Sequence, residues 1–198
     1  VSSNLSGSRE KFYDRLNYDS AKFNYGIGVN IELNKNLSLE ATLNPDFSQV
    51  EADVTKIDIN SPTAINYPER RPFFNRGIDV LDYTMDVIYS RSINNPSFAS
   101  KIINRGKKSR VYMLTAIDQD SPYIVPTQFE SFSGLGGKSF NNILRYQNII
   151  NPNIQVGALA TNRLYEGDAY GNLIGLDGLL KLDGGWKFEL EYFNSSNK

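Results

Sequence analysis

Carboxylates and guanidiniums crowd into one stretch of this 198-residue sequence, and they are the groups in it best placed to do chemistry. Asp46, Glu51, Asp53 and Glu69 supply the acids, and Arg70 and Arg71 follow directly. Glycoside hydrolysis needs two carboxyls roughly 5–10 Å apart across a sugar. The same acids beside two guanidiniums can also form a fold-fixing network, because the planar fork of Arg matches a carboxylate. We read the cluster in this second way, with Arg70 or Arg71 pairing with Asp46, Glu51 or Asp53 to pin a long segment. Glu51, Asp53 and Asp58 offer oxygens that calcium favours, but their spacing matches no EF-hand loop, so no metal is expected. Pro72-Phe73-Phe74 reads as a buried anchor rather than a platform for a sugar ring. Gly134-Leu135-Gly136-Gly137 lacks the Gly-Lys-Ser/Thr ending of a phosphate-cradling loop and reads as a turn or bulge, with no nucleotide.

Composition removes other chemistries. The chain has no His, which excludes the commonest general base and most zinc sites, and no Cys, which excludes disulfides and thiolates. No cofactor is expected. A net charge of −1 argues against a nucleic-acid partner.

The elements that position these residues are strands. Phe23, Tyr25, Ile27, Val29, Ile31 and Leu33 alternate with Lys22, Asn24, Gly26, Gly28, Asn30 and Glu32, the period-2 signature of a strand. After Asn34-Lys35-Asn36, Leu37, Leu39, Ala41 and Leu43 continue the parity, so 21–44 is a β-hairpin. Residues 1–20 read as a polar arm or loop. Pro45, Pro62, Pro68 and Pro72 break up 45–85, read as an inward-folded insertion with short helical turns at most. From 86 to 198 the pattern predicts meander strands: Asp86–Ser92, Ser109–Asp118, a weaker run at Tyr123–Phe132, and four clean alternating runs from Leu144 to Tyr192. Asn151-Pro152-Asn153, Glu166-Gly167-Asp168 and Asp183-Gly184-Gly185 separate those four.

Alternation alone also suits a soluble sandwich. Three features favour a membrane barrel. Several runs reach about 10–13 residues, against the 9–11 needed to cross a bilayer at a tilt. Aromatics (Phe23, Tyr25, Phe140, Trp186, Tyr192, Phe193) sit near strand ends, where interfacial girdles belong. Lys22, Glu32, Glu40, Arg145, Lys187 and Glu189 fall on the polar face and suit a wet lumen. The mean hydropathy of −0.41 is compatible, because barrel strands average out as polar. The first residues lack a signal-peptide layout, so any export signal is expected upstream.

The insertion also carries a longer pattern. Asn44-Pro45-Asp46-Phe47-Ser48-Gln49-Val50-Glu51-Ala52-Asp53 is followed by Tyr67-Pro68-Glu69-Arg70-Arg71-Pro72-Phe73-Phe74, then Gly77-Ile78-Asp79 and Tyr89-Ser90-Arg91. Together these resemble the signature of the domain of unknown function 5916 family, closely over Phe23 to Arg91. Asn75-Arg76 and Ser92 depart from the family's usual residues, so a role needing those positions does not carry over. The resemblance implies a Bacteroidota-type outer-membrane barrel, usually preceded by a domain similar to carbohydrate-binding family 9.

The expectation is therefore an all-β, antiparallel outer-membrane-type β-barrel, whole or partial, with 45–85 as a plug. It would be a non-enzymatic protein of the bacterial outer membrane that passes or binds a substrate, with carbohydrate favoured by the resemblance, or serves a larger envelope complex. Its partners would be outer-membrane lipid and other envelope proteins. A membrane-associated glycan hydrolase and a soluble β-sandwich binding module are the alternatives.

Overall fold

The computed structural model describes the backbone of residues 2–6, 9–12, 15–18, 22–45, 47, 69–126, 131–135 and 137–198, and the side chains of 25–45, 47, 69–121 and 137–198. Five strands come first: β1 (Ser2–Ser6), β2 (Arg9–Phe12), β3 (Arg15–Tyr18), β4 (Lys22–Glu32) and β5 (Leu37–Leu43). A one-turn helix α1 (Pro72–Asn75) and two 3-10 turns, Ile78–Leu81 and Ser90–Ser92, occupy the middle. Then follow β6 (Pro96–Arg105), β7 (Ser109–Asp118), β8 (Pro122–Pro126), β9 (Ser131–Leu135), β10 (Ser139–Asn151), β11 (Ile154–Tyr165), β12 (Tyr170–Lys181) and β13 (Lys187–Asn197).

Nine strands make one antiparallel sheet in the order β1-β4-β5-β6-β7-β10-β11-β12-β13, while β2–β3 and β8–β9 are separate hairpins. The sheet is open: among the described residues β1 and β13 do not pair, so these strands do not close into the expected barrel. Three readings need correction. The arm at 1–20 contains β1 to β3 rather than loop alone. The strand expected at Asp86–Ser92 is a 3-10 turn at its end, and pairing resumes at β6 instead. Phe193 is not an outward girdle residue, since its ring stacks edge-on against Tyr83 of the middle segment at 5.3 Å.

The two faces of the sheet differ sharply. Tyr25, Ile27, Val29, Ile31, Ile102, Met113, Leu144, Tyr146, Ile174, Leu176, Phe188, Leu190 and Tyr192 are exposed on one face. The other face carries Glu40, Lys101, Asp118, Asn141 and Arg145, all buried with Ala99, Ile103, Tyr112 and Leu114. The covered face is therefore mixed, apolar and charged, while the opposite face leaves large apolar side chains exposed. Residues 69–95 lie across the polar-lined face, where Phe74, Val80 and Ile93 join Phe47 and those strand residues in one core. Burying a side chain of that size contributes about 1.5–3 kcal/mol. Gly77 permits the closest approach. Its φ is +88°, and a Cβ there would stand 2.6 Å from Ile103 Cδ1.

The register has a regular slant. Val29, Ala41, Ser100, Thr115, Asn142, Asn162, Asn172 and Ser196 form one row of directly opposed residues from β4 to β13. The last regular pair before each tight turn lies three residues beyond this row at Glu32↔Ser38 and five at Arg105↔Arg110. It lies seven residues beyond at Ile149↔Gln155 and nine at Lys181↔Lys187. The turns therefore advance one residue per strand. The exposed apolar run advances equally: it is centred on the row in β4 (Tyr25 to Leu33) and seven residues along, at position 189, in β13 (Trp186 to Tyr192). One residue of rise per strand spacing corresponds to a slant of about 35°.

Candidate functional site

The candidate site is the segment from Glu69 to Asn95 together with the strand side chains beneath it. Arg71 is 3% exposed and ties the start of this segment down. Its backbone N–H and Nε both donate to Glu69 Oε1 at 2.9 Å, and Nη2 donates to Glu69 Oε2 at 2.8 Å. Nη1 donates to the Ile93 carbonyl at 2.6 Å and Nη2 to that of Ser90 at 3.0 Å, so one guanidinium joins both ends of the segment. It also lies over the rings of Phe74 (4.1 Å) and Phe47 (5.2 Å). The Ser90 hydroxyl donates to Glu69 Oε2 at 2.6 Å. Burial works to raise the Glu69 carboxyl, and Arg71 with Ser90 outweighs it, leaving the group below the usual carboxylate range.

Under α1, the Lys101 ammonium on β6 donates to the carbonyls of Phe73 and Arg76, which caps the short helix with a cation. Glu40 on β5 neutralises it at 3.4 Å and also binds Arg76 at 2.9 Å. Further on, Arg105 of β6 chelates Asp79, and this hydrogen bond holds the Asp79 carboxyl low against a modest burial effect. At the end of the segment, Asp118 on β7 accepts the backbone N–H groups of Asn94 (2.8 Å) and Asn95 (2.6 Å) and the Ser121 hydroxyl (2.8 Å).

The farthest anchorage is on the last strands. Arg145 of β10 is 2% exposed and reaches across β11 to chelate Asp177 of β12, with Nη2 to Oδ2 at 2.7 Å. It passes over Gly157, where a Cβ would stand 2.6 Å from Nη2 and 2.7 Å from Cζ. Its guanidinium also lies 4.7 Å from the centre of the Tyr83 ring. Glu191 on β13 accepts the backbone N–H groups of Thr84 (2.8 Å) and Met85 (3.3 Å). Burial pushes the Tyr83 phenol up; Arg145 opposes this, and Asp177 and Glu191 add to it.

Two cavities flank this anchorage. One, of about 270 Å³, is mainly apolar and touches Phe74, Leu81, Tyr83, Val87, Tyr112 and Ile143. The other, of about 200 Å³, is polar and touches Tyr83, Arg110, Arg145, Gln147, Gln155 and Asp177.

Of the residues singled out in the sequence, Glu69, Arg71, Phe73, Phe74 and Phe47 come together as one packed knot. Arg70 and Pro72 are exposed beside it, and Arg91 is half-buried. Asn44 has φ +43°, binds the Tyr25 carbonyl through its amide at 3.0 Å, and leads into half-buried Pro45. Asp46, Gln49, Glu51, Asp53, Asp58 and Pro68 lie outside the described residues. Sequence reasoning missed Tyr83, Lys101, Asp118, Asp177 and Glu191 as parts of the site. The signal available was a polar residue recurring at the inward parity of β6, β7, β12 and β13.

Among the described residues, the carboxylates of this arrangement are engaged in holding the segment. Both oxygens of Glu69 are occupied by Arg71 and Ser90, and Glu40 is shared between Arg76 and Lys101. What the geometry does is fasten an irregular segment to the inner face from β5 to β13. Residues 5–115 match the domain of unknown function DUF5916. The chain belongs to this family. Nothing among curated proteins or solved structures is similar enough to add a relative or a fold neighbour. The DUF5916 match spans β4 to β6, most of β7 and the whole anchored segment, so knot and segment fall inside the family's own territory.

Proposed function

We propose that this DUF5916 chain forms wall strands of a bacterial outer-membrane β-barrel, without covalent chemistry of its own, and that residues 69–95 plug its lumen and govern the passage or binding of a small polar solute. The observation that carries this reading is the shared slant of the tight turns and the exposed apolar band. Membrane barrels tilt their strands by about 35–45° to the axis, so a level band of lipid-facing residues crosses the strand rows obliquely. Here both features advance one residue per strand, equivalent to about 35°. The nine-residue run from Tyr25 to Leu33 extends about 27 Å along its strand, or about 22 Å along the membrane normal, close to the 25 Å band of such barrels. A soluble sheet has no reason to align its exposed apolar residues with its turns in this way.

The connections fit the same orientation. β4–β5, β6–β7, β10–β11 and β12–β13 join by tight turns at one end, while the long 44–95 and 119–138 connections lie at the other. Outer-membrane barrels place short turns in the periplasm and long loops outside. The inward charges also suit a plugged lumen, since Glu40–Lys101 and Arg145–Asp177 are paired in place under the segment.

The test is folding in detergent followed by electrophoresis with and without heating. A β-rich chain that needs detergent or lipid to fold, and migrates differently before and after boiling, supports the reading. A chain that folds fully in buffer with no change in migration sinks it.

A further inference from the structure

The tight turns differ in charge. The β4–β5 turn carries Lys35 and the β6–β7 turn carries Lys107 and Lys108, all three exposed. The β10–β11 turn, Asn151-Pro152-Asn153, has no charged residue, and the β12–β13 turn contains the acid Asp183. The two cationic turns are neighbours, because the Arg105 N–H donates to the Asn36 carbonyl at 2.8 Å. Among the described residues none of the three lysines has an ion-pair partner. The nearby acids are placed elsewhere. Asp79 is held by Arg105, and Glu32 stands opposite Ser38 in the parity of Glu40, on the covered face. Cations gathered on two adjoining turns repel one another, so the cluster favours an anion beside it.

Below these turns the exposed face is apolar. Ile31, Leu39, Ile102 and Met113 form one row of opposed residues from β4 to β7. Between that row and the turns Asn104 stands opposite Leu37 and Val111, and its carboxamide has no hydrogen-bond partner among the described residues. Asn34 uses its side-chain oxygen to accept the N–H groups of Asn36 (2.9 Å) and Leu37 (3.0 Å), which leaves its amide hydrogens as donors. Apolar side chains, amide donors and ammonium groups thus succeed one another from the middle of the sheet to its rim. Lys35 lies six residues past Val29, the centre of the apolar band. That is at most about 17 Å along the membrane normal, against about 12 Å for half the band, so the lysine reaches the headgroup level.

We propose that this corner of the wall is a docking site for an anionic phospholipid. Its acyl chains lie on Ile31, Leu39, Ile102 and Met113, and its phosphate meets Asn104, Lys35, Lys107 and Lys108. The proposal rests on the membrane-barrel reading and names a partner for that surface. The order of the groups selects an amphiphile. A free anion would use the lysines and leave the apolar row unused, and an acidic protein would meet the turns end-on, beyond the band. A lysine near an anionic membrane surface strengthens attachment about fivefold, so three give on the order of a hundredfold at low salt.

The experiment reads which lipid stands beside position 102. Because the chain has no native Cys, Ile102→Cys takes a single bimane label, and Leu176→Cys on β12 gives a control far from the cluster. Each labelled protein is inserted into phosphatidylcholine vesicles holding a minor fraction of phosphatidylglycerol. Bromine is placed on the acyl chains either of the phosphatidylglycerol or of an equal amount of phosphatidylcholine. Brominated phosphatidylglycerol should quench position 102 severalfold more than brominated phosphatidylcholine, and both should quench position 176 alike. The preference should vanish in Lys35→Gln/Lys107→Gln/Lys108→Gln, whose heat-modifiable migration checks that it still inserts, and should weaken at about 0.5 M salt. Equal quenching by the two lipids at position 102, or a preference that survives the triple substitution, overturns the site. A preference abolished by excess inorganic phosphate overturns the lipid as ligand in favour of a free anion. Folded protein quenched by neither lipid at either position overturns the membrane reading itself.

Discussion

Replacing Gly157 with Ala tests how the charges beneath the 69–95 segment are held. The new Cβ would stand 2.6 Å from Arg145 Nη2 and 2.7 Å from Cζ, inside van der Waals contact. The guanidinium must lift off β11, and its two bonds to Asp177 are lost. The side chains are 2% and 15% exposed, so solvent compensates little. Breaking a buried pair typically costs about 3–5 kcal/mol. Ala in a strand interior returns about 0.5–1 kcal/mol relative to Gly, so the net expectation is a loss of about 2–4 kcal/mol. The assay is urea unfolding in detergent micelles followed through Trp186, the single tryptophan. A double-mutant cycle makes the reasoning sharper. With Arg145→Ala already present there is no guanidinium to displace, and Gly157→Ala should become stabilising by about 0.5–1 kcal/mol. The change of sign is the diagnostic. A Gly157→Ala protein as stable as wild type, or an equal loss in both backgrounds, would refute the argument.

Two further predictions concern lipid and pH. Val29 and Leu190 lie six residues apart relative to the strand rows yet at nearly the same depth once the slant is applied, so Arg at either site should destabilise the bilayer-inserted protein by about 2–4 kcal/mol. Arg at Asn194, nearer the loop end of β13, should cost much less; equal costs at all three sites in liposome unfolding would count against the slant. The Glu69 carboxyl is held below its usual value, so its contribution is full above about pH 4.5 and is lost as pH falls through its lowered folded value. Glu69→Gln should flatten stability over that acid window in a pH series of unfolding curves, and an unchanged acid slope would mean that Arg71 does not hold the charge.

How much of this was legible in the residues depends on the element. The β4–β5 hairpin shows in strict alternation because its two faces differ, one row of exposed apolar side chains against one of Gly, Asn, Glu and Thr. β6 did not show. Its residues Ala99, Lys101 and Ile103 pack beneath the 69–95 segment, while Ser100 and Asn104 take the opposite face, so neither parity is uniform. The same mixing explains the false strand at Asp86–Ser92, an irregular stretch held by side chains from elsewhere. In the site, Glu69 and Arg71 are two residues apart, a local pairing that the reading of Arg70 or Arg71 against Asp46, Glu51 or Asp53 did not name. Arg145 and Asp177 are 32 residues apart, and only the β10–β11–β12 register and the missing side chain of Gly157 make them neighbours. Glu191 meets Thr84 across 107 residues, a contact no spacing rule foresees. The slant itself was hidden in the register, since one sequence read strand by strand does not reveal how its turns line up.

The most direct test of the central claim needs no substitution. Trp186 is 68% exposed at the tight-turn end of the apolar band, and no other tryptophan dilutes its signal. Its fluorescence should be measured in vesicles whose lipids carry bromine at shallow, middle or deep acyl positions. The account predicts a blue-shifted emission, quenched by all three and most strongly by the shallow label, as befits an interfacial girdle residue. Emission unaffected by bromine at any depth, from protein that is folded and β-rich, would contradict it.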